Sequence, residues 1–85
     1  MEHGARDIEA LIREEKRLTA IESQNEAWAE GISAGIEPDI IAEAALFTAF
    51  AELLRTEGED AAMALLERMR ERVEAGEFDP NLTHH

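Results

Sequence analysis

The chain has no cysteine, which excludes disulfide bridges and the zinc sites that depend on thiolate ligands. It is also short, with 85 residues. A lone domain of this size buries only about 60–65% of the surface that its unfolded chain exposes, so it is marginally stable. Small proteins often offset this marginal stability with disulfides, a metal or oligomerisation. Of these three means of stabilisation, the sequence excludes disulfides.

Basic residues are scarce, with 8 Lys and Arg against 20 Asp and Glu and a net charge of −12. The excess lies in the middle of the chain, because residues 21–60 contain ten acidic residues and a single basic one, Arg55. Contact with a nucleic-acid backbone requires clustered Lys and Arg, so direct nucleic-acid binding is not expected. An acidic surface favours basic partners instead.

Long apolar runs are missing as well. The longest apolar stretch is too short for a membrane span and contains Glu43 and Glu52. The first residues are charged and lack the apolar region of a signal peptide, so we expect a cytoplasmic protein with no membrane contact. His84 and His85 are either native or the remains of a purification tag, and they carry no functional inference.

The motifs that usually carry catalysis are absent too. We find no Gly-rich phosphate loop, no nucleophile elbow and no His and Cys set with metal-ligand spacing. Di-iron bundles need Glu-x-x-His pairs, and no His lies inside a predicted helix. The sequence therefore predicts neither an enzyme nor a cofactor.

What is present is helical periodicity, and no stretch alternates with the period of two that marks strands. The first predicted helix covers residues 5–34 and has two heptad columns, which indicate a weak coiled coil because each contains a polar residue. One column is Leu11, Leu18, Asn25 and Ile32, and the other is Glu14, Ile21, Trp28 and Gly35. Asn25 in a core column either sets the register of a helical assembly or is exposed near the helix end. Trp28 is most simply a core residue. Gly35 is predicted as a left-handed helix cap.

The second predicted helix, residues 38–57, begins at Pro38 and is stopped by Gly58. Its large apolar residues fall within one arc of roughly 140°, and its flanks are also small or apolar. Such a helix must be covered on more than one side. We expect Phe50, in the middle of the arc, to be nearly fully buried. The residues of the arc are Ile40, Leu46, Phe47, Phe50, Leu53 and Leu54.

The third predicted helix covers about residues 60–75; Glu59 or Asp60 begins it, Asp60 is the better N-cap, and Gly76 ends it. Its apolar face contains Ala62, Leu65, Leu66, Met69 and Val73. We expect residues 79–85 to form a frayed C-terminal tail.

Together these patterns predict an all-α fold in one domain, residues 1–85, with a long N-terminal helix followed by a helical hairpin. The first helix exceeds the others by about ten residues, so a three-helix monomer would leave part of it uncovered. A symmetric dimer explains both this overhang and the apolar residues that the second helix carries on more than one side. The alternative is a compact monomer in which the first helix bends near residues 19–23. The predicted dimer or core residues are Leu11, Leu18, Trp28, Leu46, Phe47, Phe50 and Leu54.

Three acidic residues, Glu22, Glu26 and Glu30, form a stripe along the first helix at four-residue steps. Like charges at this spacing repel by a few tenths of a kcal/mol. The stripe is either a solvated face, a partner for the cluster Arg68, Arg70 and Arg72, a docking surface for a basic protein, or part of a carboxylate metal site.

Glu43 is unusual because it lies inside the apolar arc of the second helix. Either the core ends there and the carboxylate reaches water, or the side chain is partly buried against an Arg, for example across a dimer interface. Burial would raise its pKa, but no His, Cys or Lys can be placed beside it, so catalysis is not expected.

Four segments, Asn25–Trp28, Gly35–Pro38, Ala44–Phe50 and Arg72–Phe78, resemble short all-helical proteins of alphaproteobacterial type that have no known function. The resemblance covers about residues 20–78. It implies a helical structure and supplies no activity, cofactor or site residue.

The sequence therefore favours a small acidic interaction or regulatory protein that acts as a homodimer. The alternatives are a ligand- or metal-binding helical module and a DNA-mimicking inhibitor of a basic partner.

Overall fold

The computed structural model describes residues 3–83, and these residues form helices and turns without any strand. This confirms the prediction of an all-helical chain with three main helices. α1 is His3–Ser33, α2 is Pro38–Glu57, α3 is Glu59–Glu74, and a single further turn, α4, is Pro80–Thr83. Because α1 begins at His3, one histidine does lie in a helix, contrary to the expectation from the sequence.

Glycines end the first and third helices in the same way. Gly35 has φ +83°, and the N–H groups of Ile36 and Gly35 donate to the carbonyls of Gly31 and Ile32. This pair of bonds is the Schellman motif, in which a left-handed residue lets the chain turn back on the last carbonyls. The predicted left-handed cap at Gly35 is therefore confirmed. Residues 72–77 repeat the pattern with Gly76 at φ +79°.

The junction between α2 and α3 is shorter than the sequence indicated. Only Gly58 separates them, and it is the N-cap of α3 without any side-chain capping bond. The predicted N-cap, Asp60, instead lies inside the first helical turn, so that prediction was wrong. The reason is that α2 continues to Glu57, which leaves one residue for the whole connection. Glu59 and Asp60 still place negative charge at the positive end of the α3 dipole.

The chain divides into two compact units within α2. Unit 1 is Met1–Ala42 and unit 2 is Glu43–His85, each taken here for its described residues. Unit 1 holds α1 and the first turn of α2, and unit 2 holds the rest of α2, α3 and α4. A single domain over residues 1–85 remains a prediction.

Unit 1 has one close contact between its two helical parts. A Cβ atom added to Gly31 would lie 2.8 Å from Cδ1 of Ile41, so a larger residue at position 31 would require the Ile41 side chain to move. Ile41 and Ala42 are half-buried there. From residue 6 to residue 30, every side chain of α1 is exposed.

Unit 2 has more buried and half-buried residues than unit 1. Its half-buried side chains form one stripe on each helix, and Ala62 at the centre of the α3 stripe is buried. Gly76, which ends α3, is buried as well. The half-buried residues are Phe50 and Leu53 in α2 and Ala61, Leu65 and Met69 in α3. Near-complete burial of Phe50 is thus not reached within the single chain.

The tail after α3 is ordered in its described part. The Arg72 Nε donates to Glu77 Oε1 at 2.7 Å, and the Arg72 guanidinium lies 5.4 Å from the centre of the Phe78 ring. One helical turn, α4, follows, and residues 84–85 lie outside the described residues. The fraying predicted for residues 79–85 remains a prediction.

Candidate functional site

The most prominent feature of the surface is its uncovered apolar side chains. Among residues 4 and 6–81, whose side chains are described, sixteen large hydrophobic residues are exposed and five are half-buried. Ala62 is the sole buried hydrophobic residue in that range. Large exposed apolar patches on soluble proteins often mark an interaction site.

In unit 2 the uncovered side chains of α2 form a shallow groove of about 520 Å³. The Phe47 ring, 75% exposed, is its most prominent edge. Phe50, by contrast, is half-buried. The residues that line the groove are Glu43, Leu46, Phe47, Phe50, Ala51 and Leu54. We call this surface the α2 face.

Glu43 is the one charged residue that lines the α2 face. Its carboxylate is exposed in the single chain, which agrees with the reading that the core ends there. The same position would become covered if a partner occupied the groove. The second reading, an Arg partner across a dimer interface, therefore remains open.

In unit 1 the predicted heptad columns of α1 are uncovered. Leu11 is 64% exposed, and even Trp28, expected in the core, is 40% exposed. Leu18 and Ile21 are exposed as well, and so is the polar column residue Asn25. The interpretation of Trp28 as a core residue thus requires cover from outside unit 1. We call Leu11, Leu18, Ile21, Trp28 and Ile32 the α1 stripe.

The acidic stripe of Glu22, Glu26 and Glu30 is exposed along its whole length. Among the described residues of unit 1, no ion pair involves any of the three. Exposure is the condition that a docking surface for a basic protein must meet, and a solvated face meets it equally.

Two of the three arginines proposed as partners of that stripe make local ion pairs in unit 2. Arg70 pairs with Glu67 at 3.3 Å and Glu74 at 3.4 Å, and Arg72 pairs with Glu77. These pairs are exposed, so each contributes little to stability.

One ion pair of α1 shifts the titration of its members. Arg17 donates two hydrogen bonds to the Glu14 carboxylate, at 3.0 and 2.6 Å. These hydrogen bonds, and the Coulomb attraction to Arg17, hold the pKa of Glu14 below its usual value. The same hydrogen bonds and charge raise the pKa of Arg17.

Among the described residues, no group of three or more His, Asp or Glu side chains is arranged to hold a metal ion. None of the helices described here combines the length and apolar character needed to cross a bilayer.

Comparisons with protein-family models, with curated proteins and with solved structures gave no match to this chain. The α2 face and the α1 stripe are therefore interpreted from their own geometry and chemistry.

Sequence reasoning named most of the residues of the α2 face but missed how they are arranged. Leu46, Phe47, Phe50 and Leu54 were all predicted as dimer or core residues. The role of Ala51, a small residue within the groove, was not recognised. Its spacing of four residues from Phe47, on the same side of a helix, is the signal that could have revealed it.

Proposed function

We propose that the protein is a small acidic interaction protein that acts as a homodimer, in which each copy covers the apolar side chains of the other. The observation that supports this proposal is the near absence of a core in the single chain. In the part of the chain whose side chains are described, sixteen large hydrophobic residues are exposed and five are half-buried, whereas the one buried hydrophobic residue is an alanine.

The missing burial is large enough to matter for stability. Full burial of one large apolar side chain contributes about 1.5–3 kcal/mol, whereas a domain is stable by about 5–15 kcal/mol in total. A second copy is the natural cover, because closed two-fold dimers are the commonest small assemblies.

In this proposal the dimer acts by binding and not by catalysis, and it is located in the cytoplasm. Its partner is a basic protein that docks on the acidic stripe of Glu22, Glu26 and Glu30, whose side chains are exposed in the structure. The net charge of −12 supports this choice, because a field of one sign steers oppositely charged partners to the surface.

The dimer is tested by thermal melting at several protein concentrations. If folding requires association, the melting temperature rises with concentration by mass action. A melting temperature that stays constant from low to high micromolar concentration would contradict the proposal.

Docking of a basic partner is tested with Glu26→Gln and with Glu71→Gln as its control on α3. Glu26→Gln should weaken binding of a basic protein, and most at low salt, where charges are least screened. Equal binding by both variants at every salt concentration would argue against the acidic stripe.

A further inference from the structure

We draw no further inference here: the strongest candidate, the shallow apolar groove of the α2 face beside Phe47, is an uncovered helix surface, and nothing in the structure shows what covers it.

Discussion

Units 1 and 2 contain almost equal numbers of residues, yet they cover their apolar side chains to different degrees. In unit 1, the 31-residue helix α1 approaches the first turn of α2 at Gly31 and Ile41. In unit 2, Phe50 and Leu53 of α2 are half-buried, and the 16-residue helix α3 has the buried Ala62 among its half-buried residues.

This difference shows that a regular apolar pattern on a helix does not by itself produce a core. The α1 stripe has the periodicity of a packed helix but no neighbour of matching length within its unit. In unit 2 the short connection at Gly58 supplies a neighbour, and part of the apolar arc becomes covered. In the proposed homodimer, we expect the α1 stripe to be covered from outside unit 1.

The largest effect is expected for Phe50→Ala in unit 2. Phe50 is half-buried in the single chain and lines the α2 face, so in the dimer it should be covered on both sides. The variant should then lose about 3–5 kcal/mol of unfolding free energy, the range for large aromatic truncations in cores. Chemical denaturation of the variant beside Phe78→Ala, an exposed control, measures this. A loss as small as that of the control would show that the apolar arc is not covered.

The next effect concerns unit 1. Leu18→Ala should destabilise the protein by about 2 kcal/mol or more if a second copy covers the α1 stripe, because a buried Leu then becomes a cavity. Within unit 1 alone Leu18 is exposed, and its truncation would change stability by less than about 0.5 kcal/mol. Thr19→Ala, at the adjacent exposed position off the stripe, is the control for the change in helix propensity. Equal unfolding free energies for the two variants would mean that the α1 stripe stays uncovered.

A smaller effect is expected at the acidic stripe. Glu26→Lys removes repulsion from Glu22 and Glu30, so it should leave stability unchanged or raise it by a few tenths of a kcal/mol. If the stripe instead pairs with the arginines of α3, the change should destabilise the protein, and that loss should shrink as salt rises. Chemical melts of variant and wild type at low and high salt decide between the docking surface and an internal charge network.

The smallest effect concerns the ion pair of Glu14 and Arg17. The hydrogen bonds from Arg17 lower the pKa of Glu14 in the folded protein, so their stabilisation is present at neutral pH. It is lost as the pH falls through that lowered pKa, when the carboxylate takes up a proton. In Arg17→Gln the pKa of Glu14 should rise toward its usual value, as measured by NMR titration of the side-chain carboxyl carbon. An unchanged pKa would mean that the pair does not persist in solution.

The helices and their ends could be predicted from the sequence because the signals are local. Gly35 takes the left-handed conformation that its place at the end of an apolar repeat indicated, and α2 is bounded by Pro38 and Gly58. The cap of α3 was misplaced at Asp60, since a connection of one residue cannot be recognised from preferences for capping residues alone.

Which residues of the apolar arc are half-buried and which are exposed could not be predicted in the same way. Phe47 and Phe50 are three residues apart on the same side of α2, yet Phe50 is half-buried and Phe47 is the most exposed of the large hydrophobic residues described. Helical periodicity tells which side chains share a face, but the cover of that face depends on elements far along the chain or in another molecule. The same holds for Glu43, whose surroundings depend on what occupies the α2 face.

The central claim, that a second copy supplies the core which the single chain lacks, is tested most directly by the mass of the folded protein in solution. Light scattering at micromolar concentration should give about twice the 9.5 kDa chain mass. Circular dichroism of the same sample should show the helical content of a folded chain. A folded, helical species with the mass of one chain would contradict the account.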